Sequence, residues 1–143
     1  MRPLIATSFN EANAMFSPDG RWIAYASDES GRSEIYVTSL AGPAGRWQVS
    51  TRGGRDPAWS PSGRELYYLT EDNRMMSVPI VAGESFNPGT PTFLFVVRYE
   101  PGFRRNVFCV APDNQRFLFL VPIGETNTPI TTVVNWRAGL GRK

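Results

Sequence analysis

Apolar positions in this chain come in short runs separated by turn-forming residues, and three of the runs are apolar at successive positions. These are Ile23-Ala24-Tyr25, Leu66-Tyr67-Tyr68 and Phe117-Leu118-Phe119. Runs this short, bounded by Pro, Gly, Asn, Asp and Ser, predict strands with both faces buried rather than helices. A further run follows each of them: Glu34 to Leu40, Arg74 to Ile80 and Ile130 to Trp136. Others, Arg46 to Ser50 and Thr92 to Val96, stand before the next repeat, and Pro3 to Thr7 matches them in composition and position. No run approaches the roughly 18 apolar residues that a membrane helix needs.

The runs belong to a repeat. Phe16-Ser17-Pro18-Asp19-Gly20-Arg21-Trp22 returns as Trp59-Ser60-Pro61-Ser62-Gly63-Arg64-Glu65 and, more worn, as Val110-Ala111-Pro112-Asp113-Asn114-Gln115-Arg116. From Phe16 to Trp59 is 43 residues, and from Trp59 to Val110 is 51. Periods near 40 to 50 residues belong to propeller blades of four strands each. Within each copy Pro presets φ, and Gly20, Gly63 or Asn114 supplies the left-handed residue that closes a hairpin. The expectation is an all-β partial β-propeller of about three four-stranded blades, in one domain spanning 1–143. Its repeat units run at about 3–40, 46–81 and 91–136, with a tail at 137–143.

These motifs resemble the TolB-type propeller repeat, a WD-repeat-like family marked by an aromatic residue, Ser-Pro-Asp-Gly and an apolar strand. Phe16 to Tyr25 and Trp59 to Tyr68 carry the likeness, which extends over about residues 3 to 136. Ser62 in place of Asp, Asn114 in place of Gly, and a longer insertion from Pro122 to Pro129 depart from it. The run Asp28 to Val37 and the ending Val133-Val134-Asn135-Trp136 are similar to C-terminal propellers of some bacterial Ser/Thr kinase and transcription-regulator-like proteins. No kinase motif accompanies them. Related propellers have about six or more blades, so the resemblance implies a ring that three blades leave open.

Two completions follow. Two copies could build a six-bladed ring by reciprocal exchange of the Pro3 to Thr7 strand, as a twofold homodimer, or the missing blades precede this stretch in a longer chain. In either case apolar blade faces are expected to need cover, with Tyr25, Tyr36, Tyr68 and Phe119 as their residues.

Composition narrows the chemistry. The chain has no His, which removes Ser-His-Asp, Cys-His and His-metal arrangements. Its single Cys, Cys109, allows no internal disulfide; set in an apolar strand, it is expected to be a buried, inert thiol. A net charge of +2 argues against a nucleic-acid partner. With no membrane segment and no export signal at Met1 to Ala6, a cytoplasmic location is the default expectation.

Binding is expected on loops held by the rigid scaffold. The loops that join outer to inner strands, together with the turns between second and third strands, share one end of a propeller. Among their residues Glu11, Asp28, Arg52, Arg55, Asp56, Tyr99, Glu100, Phe103, Arg104 and Arg105 are the candidate binding residues. The run Arg98 to Asn106 mixes Arg with aromatics, as protein-binding hot spots do. The acidic residues have a plain alternative role as turn caps. The functional expectation is a non-catalytic protein- or peptide-binding scaffold with no cofactor and no metal. The alternative is a glycoside- or peptide-cleaving propeller using channel carboxylates Glu11, Asp56 and Glu100.

Overall fold

The computed structural model describes residues 5, 7–40, 45–81, 83, 85–97, 107–119 and 132–134. Twelve strands and no helix occur among them. The first sheet is a four-stranded antiparallel meander, β1 (Glu11–Phe16), β2 (Trp22–Ser27), β3 (Glu34–Ser39) and β4 (Arg46–Gln48), lying side by side in chain order. The second follows the same course through β5 (Arg55–Trp59), β6 (Glu65–Leu69) and β7 (Arg74–Val81). A short β8 (Asn87–Pro88) pairs with the end of β7, and β9 (Thr92–Val96) pairs with the rest of it. The third sheet has β10 (Phe108–Val110), β11 (Arg116–Phe119) and β12 (Thr132–Val134).

Each hairpin between a first and second strand uses the repeated turn. Gly20 and Gly63 both sit at φ 69° and Asn114 at φ 54°, so the third copy keeps the left-handed turn without glycine. The Ser hydroxyls of Ser17 and Ser60 each accept the backbone N–H five residues on, at 3.0 Å, closing the turns from inside.

Two apolar layers hold the sheets together. Trp22, Ala24, Ile35, Val37 and Val49 of the first sheet region pack against Trp59, Leu66, Tyr68, Met76 and Val78 of the second. Phe86 wedges among Trp22, Trp47 and Trp59, with ring centres 5.4 to 6.3 Å apart. Tyr67, Leu69, Met75, Leu94 and Phe95 then meet Phe108, Phe117 and Phe119 of the third sheet. β6 thus buries one face in each layer, the reason its apolar residues run on without alternation.

Two expectations are corrected here. Tyr68 and Phe119 are not on an open face: each points at the preceding sheet and is buried in an internal layer. Tyr25 fills the same repeat position, and with Ile23 and Tyr36 it forms a third buried cluster on the outer side of the first sheet, against which Ile5 and Leu40 pack. Cys109, expected to be buried, is exposed, because β10 alternates and its buried side chain is Phe108. Pro3 to Ala6, apart from Ile5, and all of Ile130 to Trp136 except 132–134 lie outside the described residues, as does the Pro122 to Pro129 insertion.

Candidate functional site

The first strands of the sheets, β1, β5 and β10, stand next to one another and form a concave inner wall. β1 and β5 carry bulges at matching places, between Ala12 and Met15 and between Arg55 and Ala58. At these bulges Asn13 and Asp56 take positive φ, 54° and 50°, a conformation that Asn and Asp tolerate best among residues with a side chain. They are one repeat apart, and the bulges aim them at each other: Asn13 Nδ2 donates to Asp56 Oδ1 at 2.7 Å. Arg55 donates from Nη1 to Asp56 Oδ2 and from Nη2 to Asn73 Oδ1, each at 2.5 Å. Both oxygens of the buried Asp56 carboxylate are therefore engaged, Oδ1 in tying β5 to β1 and Oδ2 with Arg55, which links β5 to the β6–β7 turn of its own sheet.

Below these polar ties the wall becomes apolar. A groove of about 460 Å³ is lined by Met15 and Phe16 of β1, Pro57 and Trp59 of β5, and Phe108, Cys109, Val110 and Leu118 of the third sheet, among others. Phe16 is 65% exposed and Leu118 44%. Trp59, by contrast, is fixed in place, its indole N–H donating to Met15 O at 3.1 Å.

The opposite character appears at the loop-bearing end of the sheets. The crossover from β4 to β5 is drawn onto the start of β3. Ser33 Oγ donates to Gly54 O at 2.8 Å, Gly54 N–H returns a bond to Ser33 O at 2.9 Å, and Arg32 donates to Thr51 O. Beneath them lies Glu34, only 1% exposed, accepting from Arg32 Nε at 2.7 Å, from Gly53 N–H at 3.0 Å and from Ser50 Oγ. Between this crossover and the second sheet opens a cleft of about 640 Å³. Its walls include Thr51 and Arg52, Tyr68, the β6–β7 turn with Glu71 and Asp72, Arg74 and Met76 of β7, Thr90 and Pro91 leading into β9, and Phe93 of β9.

Burial pushes the Tyr68 phenol up to about 12, with Glu34 adding to the rise and Arg52 pulling the other way. Tyr25 is raised as well, chiefly by burial. A phenol whose pKa rises on folding stabilises the fold fully below its ordinary value and loses that contribution as pH climbs through the folded value. The melting temperature is therefore expected to fall by several degrees as pH rises from 10 to about 12. Circular-dichroism melts should show part of that fall removed in Tyr68→Phe; an unchanged alkaline profile in the variant would assign the loss elsewhere.

The acidic loop residues mostly cap turns. Asp28 accepts from Asn10 N–H at 2.9 Å and Asn10 Nδ2 at 2.6 Å, and these bonds hold its pKa below the usual range. Asp72 is lowered by Thr70 Oγ1 at 2.5 Å and by Arg74 Nε at 2.7 Å, and Asp19 chiefly by Ser17 Oγ at 2.6 Å.

The candidate residues therefore separate into groups. Glu11, first in β1, pairs across from Ser27 and accepts from Thr7 Oγ1, which leaves it near Asp28 and its Asn10 partner. Arg55 and Asp56 belong to the inner-wall tie, and Arg52 stands alone on the cleft. Tyr99, Glu100, Phe103, Arg104 and Arg105 lie outside the described residues. No group of three or more His, Cys, Asp or Glu side chains arranged to hold a metal occurs among the described residues. Sequence reasoning missed Phe16 and Leu118 as groove residues and Tyr68, Thr90 and Phe93 as cleft residues.

Successive meander sheets stacked face to face, with their first strands side by side around a concave wall, define a partial β-propeller. Among solved structures the chain is similar to TolB from Acinetobacter baumannii, at 15% identity and a TM-score of 0.44, over 92% of this chain and 42% of that one. The chain thus spans less than half the length of that protein. No family model matches the sequence, and no curated protein does.

Proposed function

We propose that the chain is a non-catalytic scaffold module that binds a protein or peptide along its inner wall. The observation that carries this reading is the exposure of Phe16 and Leu118 over a groove of about 460 Å³. Most other large apolar side chains of the sheets' facing surfaces are packed in the layers. An aromatic and an aliphatic residue standing over an apolar groove are what an interface centre requires. Each oxygen of the Asp56 carboxylate accepts a hydrogen bond, from Asn13 and from Arg55, which supports a tying role for it. The likeness of Asp28 to Val37 to propellers beside bacterial kinases supports a sensory or scaffold context for the module.

The test is selection of a random-peptide phage library on the immobilised chain, followed by affinity measurements on the enriched peptides. Phe16→Ser or Leu118→Ser is expected to weaken those peptides about tenfold or more. Both side chains are exposed, so stability should move by no more than about 0.5 kcal/mol. Binders indifferent to both substitutions would overturn the assignment to the inner wall. Cleavage of a peptide or glycoside that disappears in Asp56→Asn would overturn the non-catalytic reading.

A further inference from the structure

The cleft between the β4–β5 crossover and the second sheet is separate from the inner wall, and its walls differ in kind from one another. Arg52 is exposed and forms no ion pair or hydrogen bond among the described residues, and neither does the hydroxyl of Tyr68. The two line the same cleft. The phenol stays protonated at neutral pH, so both groups present donors to the same space. Thr51 and Thr90 add hydroxyls whose side chains are likewise uncommitted among the described residues.

Three of the remaining polar groups bond one another. Thr70 Oγ1 and Arg74 Nε both bond Asp72, and the Arg74 guanidinium lies 5.4 Å from the centre of the Phe93 ring. Arg74 shares its charge with Asp72 in an exposed pair, whereas Arg52 has no such partner among the described residues. Met76, Pro91 and Phe93 supply an apolar side to the same space. Glu71 on the rim opposes a ligand carrying several negative charges.

An unpaired guanidinium beside a phenol donor, next to an apolar wall, matches a single carboxylate attached to an apolar group. A volume of about 640 Å³ accommodates one or two residues of a peptide, within the range of small-molecule sites. We propose that this cleft binds the free C-terminal carboxylate of a peptide, with Arg52 and Tyr68 holding the carboxylate and Met76, Pro91 and Phe93 receiving the last side chain. Arg presents its N–H groups as a planar fork that fits a carboxylate, and such charge-assisted bonds are about twice as strong as neutral ones. Recognition of chain ends is one of the recurring modes by which small modules read peptides.

The test compares a fluorescein-labelled peptide ending in leucine with a free carboxylate against the same peptide ending in an amide, by fluorescence anisotropy. The carboxylate form is expected to bind about tenfold more tightly or better. Arg52→Gln, at an exposed position, should abolish that preference while leaving the melting temperature unchanged. Tyr68→Phe, which keeps the ring and removes only the donor, should reduce the preference several-fold. Equal binding of the two peptides, binding of neither, or a preference that survives Arg52→Gln would each overturn the proposal. Phe16→Ser separates this site from the inner wall: carboxylate-dependent binding should persist in that variant. Loss of it there would move the peptide site to the inner wall and sink the cleft assignment, leaving the scaffold reading intact.

Discussion

Truncating Phe117 to alanine is expected to cost about 3–5 kcal/mol of unfolding free energy, the range for deleting a fully buried aromatic ring. Phe117 has no exposed surface, and its ring meets Tyr67 edge-on at 4.9 Å, Phe95 at 5.7 Å and Phe108 at 6.2 Å. The hole left behind has rigid walls on several sides. Tyr67 in turn is fixed by its hydroxyl, 2.8 Å from Asn114 Oδ1 and 2.7 Å from Glu65 Oε2, so it cannot swing in to fill the space. Because this layer joins the second sheet to the third, the loss should act first on the attachment of β10–β12. Urea unfolding followed by hydrogen exchange should show early exposure of amides in β10 and β11, with the first sheet still protected. Since single domains are stable by only about 5–15 kcal/mol, a loss of this size removes a large share of the total. A variant that unfolds as one unit with wild-type stability would mean the layer contributes far less than its packing indicates.

The contrast with Phe16 shows what the sequence could and could not reveal. Phe16, Trp59 and Val110 hold one motif position, and the repeat alone treats them as equals. The structure gives them different fates: Trp59 is buried with its N–H bonded to Met15 O, while Phe16 is 65% exposed on the groove. A pattern of apolar residues reports which positions tend to be buried, but not whether a neighbour exists to bury them. The sheets were legible because turn chemistry and apolar runs are local. The left-handed residues at Gly20, Gly63 and Asn114 sit where the turn motif requires them.

The pairing of Asn13 with Asp56 was also legible in principle, since the residues stand one repeat apart and repeat-equivalent positions of adjacent blades lie side by side. The local pattern, however, places Asp56 in a loop with other charged residues and announces no bulge. Cys109 was misread because β10 alternates in burial while its sequence, Phe-Cys-Val, does not alternate in polarity. The cleft was not legible at all. Arg52, Tyr68 and Phe93 come from a crossover, a second strand and an outer strand, and only the stacking of two sheets brings them together.

Replacing Glu34 by alanine should reach both the fold and that cleft. Glu34 is a carboxylate with almost no exposed surface, and it is the common acceptor for Arg32 Nε, Ser50 Oγ and Gly53 N–H. Ser50 Oγ itself accepts from Ile35 N–H at 2.8 Å, so the carboxylate closes a chain of bonds that runs from β3 into the crossover. Its removal strands two buried donors at a cost of about 1–3 kcal/mol each. Little is returned by freeing Arg32, whose side chain is half exposed. The expected total is about 2–4 kcal/mol by urea unfolding. Glu34→Gln, which keeps the shape and one acceptor oxygen, should cost less than half of that.

The functional consequence follows from where the bonds end. Gly53 and Thr51 flank Arg52, and once the carboxylate is gone the stretch around Arg52 loses its Gly53 anchor, while the bonds of Val49 and Ser50 to Ile35, the Ser33–Gly54 pair and the Arg32–Thr51 contact still hold either end. A guanidinium on a looser loop pays more entropy to meet a carboxylate. Glu34→Gln should therefore weaken the free-carboxylate peptide several-fold while leaving peptides bound at the inner wall unaffected. Comparable weakening at both sites would mean that Glu34 supports the whole sheet stack rather than the crossover. Unchanged carboxylate binding in a folded Glu34→Gln variant would show that Arg52 is positioned without it.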